Sequence, residues 1–381
     1  MRTLLFYGII SLITSFDTYA YPQFVSYGYR SCQTCHYNPL GNGPLNDYGR
    51  AVSATAISDR LLVSDSTTEE ELGQQSAFNF SGWDKNTWFR PQINYRGLNM
   101  TMNVGEDNST NEFYQMMANV VAVGKFLKRD KLLIVGEVGY SPVQEGSDEM
   151  PIRSREYYIG YRFNKKLGAY AGLMDKAYGI RLVDHTAFSR GSIGLGQNDQ
   201  THGVMVHYST KKMEAAVHGY AGNMLNDAEV RQMGGSGTME FTLNPDVHLG
   251  FSALYSSSDF TQYTMGGLHG RFTLGKGNSL LVEGGARNRT IDSTDVSTLS
   301  LYGMLRGQIK ARRGLFVNLG GDWLKADSDA DTSSLRLLAG AQWFPINRVE
   351  LRFDVYNIQT LGLETATPAV YAVASQIHVW L

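Results

Sequence analysis

Residues 349–356 set Val349, Leu351, Phe353 and Val355 against Glu350, Arg352, Asp354 and Tyr356, so that apolar and polar side chains alternate without a break. A period of two is that of a β-strand, whose successive side chains point to opposite faces. Charge at every second position requires water on that face, while the large apolar groups opposite require an oily phase. The same pattern sets Leu299, Leu301, Leu305 and Ile309 against Tyr302, Met304, Arg306, Gln308 and Lys310. It also sets Leu335, Leu337, Ala339, Ala341 and Trp343 against Arg336 and Gln342, and similar short stretches recur from Trp88 onward.

A soluble two-sheet sandwich would satisfy the alternation by turning its apolar face into a core. Three features favour a membrane barrel. Many stretches reach about 10 residues, the length of a tilted membrane-crossing strand. Tyrosine and tryptophan recur near the stretch ends, where an interfacial girdle would sit. Residues 1–20 read as an export signal, with Arg2, an apolar run over 4–13 and a small-x-small site at Thr18-Tyr19-Ala20, so the mature protein is expected to begin near Tyr21. That run is well short of the roughly 20 apolar residues a spanning helix needs, and no later one is longer. Composition agrees: 41 glycines, 22 tyrosines and only 18% charged residues suit an outer-membrane sheet. With 34 Lys and Arg against 36 Asp and Glu, no basic field exists for nucleic acid, and no such partner is expected.

The expectation is an all-β, transmembrane outer-membrane β-barrel over residues 78–381, of about 16 antiparallel strands, with 14 and 18 the neighbouring even counts. Such a barrel has a lumen wide enough for a channel or a plug. The final stretch places Tyr371, Val373, Ile377, Val379 and Leu381 on one face, which resembles the terminal assembly signal of outer-membrane barrels.

Both cysteines of the protein lie in Cys32-Gln33-Thr34-Cys35-His36. A structural zinc site would need further ligands that no second C-x-x-C provides. A redox pair would want a strand-to-helix setting, whereas the surroundings are rich in Asn, Pro and Gly. A disulfide across two residues would close a tiny loop and stabilise little. In an exported protein, the C-x-x-C-H motif is the attachment signature of one covalent haem c, with His36 the proximal iron ligand. Pro39, Gly41, Gly43 and Pro44 enforce an irregular wrap after it. A short helix is expected around residues 47–57, and residues 64–75, with Glu69, Glu70 and Glu71, read as a solvated linker. Residues 21–75 are thus a monohaem cytochrome c segment, too small for a free-standing core and expected to lean on the barrel as plug or cap.

Pro22, Phe24, the motif at Cys32, Cys35 and His36, Pro39, Leu45 and Tyr48-Gly49-Arg50 resemble the N-terminal signature of the fused monohaem cytochrome-porins, a family of outer-membrane iron oxidases. The resemblance covers about 30 residues and implies an Fe(II):cytochrome c oxidoreductase in the bacterial outer membrane. Electrons would pass from extracellular Fe(II), or another donor, to a periplasmic c-type cytochrome. Two alternatives stand beside it: a diffusion porin with a structural or sensing haem, and an outward conduit to external acceptors.

Residues 176–200 break the strand rhythm and carry Arg181, Asp184, His185 and Arg190. Long loops in compact folds are usually functional, and this one is a candidate to fold inward across the pore or against the haem. His185 is the candidate distal ligand on that ground, because a loop reaches a haem more readily than a wall does. Parity puts His207, His218, His269 and His378 on the lumen face. Asp184 with His185, or Glu145, Asp148 and Glu149, are candidate ligands for substrate Fe(II). No motif for hydrolysis emerges.

Overall fold

A computed structural model describes residues 21–41, 43–78, 87–104, 109–128, 130–140, 151–184, 186–196, 198–362 and 369–381. The export signal over 1–20, His185 and the acids Glu145, Asp148 and Glu149 lie outside the described residues.

Among the described residues, seventeen strands from Phe89–Val104 to Val370–Trp380 form one antiparallel sheet. Each neighbours the next in sequence order, and the first closes on the last from Asn94↔Trp380 to Val104↔Val370. Ile152–Arg153 and Tyr157–Arg162 both pair with Leu132–Tyr140, so they are two halves of one stave. The barrel therefore has sixteen staves, as the alternation predicts. Closure removes every sheet edge, which a sheet in lipid requires. None of the described helices is long and apolar enough to cross a membrane.

The barrel is apolar outside and charged inside. Leu305, Ile309, Leu337, Phe353 and Val355 are exposed, while Arg306, Arg336, Glu350 and Asp354 are buried. A soluble protein shows the reverse, and the arrangement is that of a membrane-spanning barrel. His207, His218, His269 and His378 face the lumen as parity predicts, and His248 joins them.

Connections at one end are short, such as 245–246, 313–314 and 347–348. In outer-membrane barrels the short turns are periplasmic. Those turns hold residues 21–78. Arg30 donates to the Lys211 carbonyl at 2.6 Å, Gly277 to that of Ser26 at 3.2 Å, and Arg313 to that of Thr55 at 2.7 Å. Asp59 N–H donates to the Phe344 carbonyl at 2.8 Å. The segment has no separate core. Val52 and Ile57 pack with Phe316, Phe344 and Trp380 of the wall, and Phe24 lies beside Phe316 and Phe344 at ring distances of 6.1 and 6.5 Å.

Within it, a helix Asp47–Val52 continues as a π turn Ser53–Ile57, matching the expected helix. Residues 64–75 are solvent-exposed as expected of a linker, but part of them is regular: Glu69–Gln74 is a helix, started by a capping box between Thr68 and Glu71. Glu69 is an anchor rather than a free charge, pairing with Arg60 at 3.2 Å and Arg313 at 2.7 Å. Thr68-Glu69-Glu70-Glu71 carries the T-x-x-E pattern of such a box.

Candidate functional site

The turn that presents the C-x-x-C-H motif is tight. Cys35 and His36 both donate their N–H to the Cys32 carbonyl, at 3.1 and 3.0 Å. Its shape is held from outside by Asn46. The Asn46 amide donates to the carbonyls of Gln33, Thr34 and His36 at 3.1–3.3 Å, while its side-chain oxygen caps the helix by accepting from Gly49 N–H at 2.9 Å. Gly49 lets the helix lie against the motif, because a Cβ there would overlap the Cys35 carbonyl. Arg50, buried, donates to the Pro91 carbonyl at 3.0 Å and the Leu381 carbonyl at 3.3 Å. It thereby clamps the segment onto the seam where the barrel's first strand meets residue 381. The Tyr-Gly-Arg element thus has a physical account in its last two residues: close approach, then anchorage.

Cys32, Cys35 and His36 all line one partly open cavity of about 970 Å³. Its surface is mostly apolar: Phe24, Leu45, Val52 and Ile57 come from the segment, Phe344 and Trp380 from the wall. His36 Nδ1 lies 3.3 Å from the Gly43 carbonyl. Donation to that oxygen fixes the tautomer in which Nε2 carries the ligating lone pair, the usual support of a metal-binding histidine. Burial pushes the Cys32 thiol up to about 12 and the Cys35 thiol up to about 11, opposite to the depressed values of thiol–disulfide catalysts. The residues present fit a haem: two thiols, an oriented imidazole and an apolar cavity around them.

The wall side holds a polar network. Glu350 accepts from Tyr21 and from Gln342, the latter at 2.8 Å, and lies 3.1 Å from His378 Nδ1. His378 and Trp380 line the cavity beside Gln92 and Asn94.

The 175–200 loop does fold inward. The N–H groups of Ala177 and Gly179 donate to the wall hydroxyls Ser236 and Ser252 at 3.0 and 2.9 Å, and Ile180 N–H donates to Glu283 at 2.6 Å. Arg190 donates to the carbonyls of Tyr178 and Ile180, and Arg181 pairs with Asp175. Asp184 accepts from Arg336 at 2.8 Å and lies 3.6 Å from Arg306. Asp184 is therefore a structural counter-ion and not an open Fe(II) ligand. Burial alone would raise its carboxyl, but Arg336 and Arg306 hold it well below the usual carboxylate range. The loop's side of the plug is a second cavity of about 640 Å³, lined by Tyr178, Ile180 and Arg181 together with Cys32, Pro39 and Leu40. No described residue of the loop lines the larger one. Among the described residues no group of three or more His, Cys, Asp or Glu is arranged to hold a metal ion.

Sequence reading missed Asn46 and the clamp made by Arg50. An Asn directly before the helix at Asp47 is the capping signal that marks the first. Nothing local marks the second, since its partners are about 40 and 330 positions away.

No protein-family model and no curated protein sequence matches this protein. Solved structures do match. An anion-selective porin from Comamonas acidovorans aligns with TM-score 0.59 at 10% identity, over 77% of this protein and 99% of the porin. OmpF of Salmonella typhi aligns with TM-score 0.58 at 13% identity, over 78% and 99%. OprB of Pseudomonas putida aligns with TM-score 0.57 at 10% identity, over 86% and 100%. The fold is that of the outer-membrane porins.

Proposed function

We propose that this protein is an outer-membrane cytochrome-porin that carries electrons across the outer membrane, from extracellular Fe(II) to a periplasmic c-type cytochrome. The observation that carries the reading is the apolar cavity lined by Cys32, Cys35 and His36 inside a porin-type barrel. A haem c held there supplies a one-electron Fe(III)/Fe(II) couple. The protein's own residues do the rest. The two thiols fix the group covalently, Gly43 orients His36, and the rings of Phe24, Phe344 and Trp380 exclude water. An apolar band about 25 Å tall separates the two aqueous phases outside the barrel, so the lumen is the path. Attachment at the short-turn end sets the site toward the periplasmic acceptor. Fe(II) as the donor rests on the resemblance of the N-terminal segment to the cytochrome-porin signature. Free diffusion of solutes is opposed by residues 21–78 and 175–200, which both occupy the lumen. The test is anaerobic mixing of the purified protein with Fe(II): a reduced-haem absorbance is expected, and its absence sinks the oxidase reading.

A further inference from the structure

His378, on the last strand, lines the same cavity as Cys32, Cys35 and His36 and is 7% exposed. Its Nε2 is buried and has no hydrogen-bond partner. His218 and His269 also hold buried nitrogens without a hydrogen-bond partner, so what sets His378 apart is its place in the cavity. His207 gives Nε2 to Glu214 at 2.9 Å, and the nitrogens of His248 meet Thr242 and the Pro245 carbonyl at 3.1 and 3.4 Å. Neither of these lines the larger cavity, nor do His218 and His269. A nitrogen buried without a partner is unusual enough to need an explanation, and ligation of a metal is one.

The tautomer follows from the neighbours. Arg96 Nη2 is 3.2 Å from His378 Nδ1 and can only donate, whereas Glu350, at 3.1 Å, can only accept when ionised. These demand opposite protonation of Nδ1. Tyr21 and Gln342 already donate to Glu350, so it stands among donors as an acceptor. With Nδ1–H given to it, the lone pair of His378 falls on Nε2, as in the carboxylate–histidine–metal arrangement.

We propose that His378 is the distal axial ligand of the haem attached at Cys32 and Cys35, binding through Nε2 across the cavity from His36 and oriented by Glu350. The proposal rests on the haem reading above. It adds that the second ligand comes from the barrel wall. Coordination forms one N–Fe bond and displaces at most a water, with no electron transferred. Two imidazoles give a lower potential than His with Met would, and they tie iron to the closure seam.

The test uses the full-length protein in detergent, with a haem stain after denaturing electrophoresis and the ferric absorption and EPR spectra. The wild type should stain and show a low-spin bis-imidazole spectrum. His378→Ala should keep its stain, become high-spin and bind carbon monoxide when reduced. His378→Met should return a low-spin spectrum with a higher potential, and His185→Ala should leave the wild-type spectrum unchanged. Retention of the bis-imidazole signal in His378→Ala overturns the proposal, as does its loss in His185→Ala or a high-spin wild type. Stained protein with the wrong spin state sinks only the ligand, while unstained wild type sinks the haem reading and the ligand with it. If His378→Ala does not fold, the wild-type EPR spectrum decides between imidazole and thioether as the sixth ligand.

Discussion

Residues 21–78 and 175–200 both meet the barrel through ion pairs and apolar packing, but aromatic and apolar side chains of the segment line the cavity of about 970 Å³, which no described residue of the loop reaches. Both enter the same polar lumen. The loop matches it with Asp184 between Arg336 and Arg306, and with Ile180 N–H on Glu283. The segment covers part of it with Phe24, Val52 and Ile57 against Phe316 and Phe344. Ion pairs close space, because each charge needs its partner at contact distance. The cavity beside Cys32, Cys35 and His36 thus lies on the segment's side, and the loop fills the lumen beside it.

The largest expected effect is on the segment side. Replacing Cys32 and Cys35 together by Ala should abolish covalent haem stain, while the barrel still migrates differently before and after boiling. Cys35→Ala alone should lower the stain, and undiminished stain there would refute the attachment site.

On the loop side, Arg336→Met leaves Asp184 and Asp322 buried with less compensation. Breaking such a pair costs about 3–5 kcal/mol, and Arg306 remains near both acids, so the lower end is expected. Trypsin cleavage after Lys176, Arg181 or Arg190 should accelerate while haem stain stays constant. Equal loss of both would break the division between the two regions.

Gly49→Ala presses a methyl group against the Cys35 carbonyl. Overpacking of this kind costs about 1–3 kcal/mol. Haem loading should fall and trypsin cleavage of the loop should not change.

A pH series sharpens the contrast further. The folded carboxyl of Asp184 lies below the ordinary value, so its contribution is fully present above about pH 4 and fades as pH falls toward the folded value. Loop cleavage by an acid-active protease should rise below about pH 4 in the wild type and lose that dependence in Asp184→Asn. The smallest effect should come from Thr68→Ala, which removes an exposed cap worth about 0.5–1 kcal/mol. A small drop in the urea midpoint is expected, with haem stain unchanged.

Much of the fold was legible because alternation is a local signal. Glu350, Arg352 and Asp354 declared a wet face within seven residues, and that face is the lumen. The inward course of the 175–200 loop was legible only as a break in rhythm. Its docking depends on Ser236, Ser252 and Glu283, which belong to other strands. Asp184 read as a possible iron ligand because sequence shows an acid's type but not the two arginines that consume its charge.

By itself the sequence determined that the protein alternates between oil and water, carries a single C-x-x-C-H motif and has a segment too small to enclose a cofactor alone. Those properties are set by neighbours a few positions apart. Only the tertiary structure decided what shares the cavity with His36: Trp380 and His378 of the final strand, more than 340 positions further along the sequence. Barrel closure brings the last strand beside the first, and Arg50 holds the segment to that seam. A contact made by closing a ring leaves no trace in local spacing.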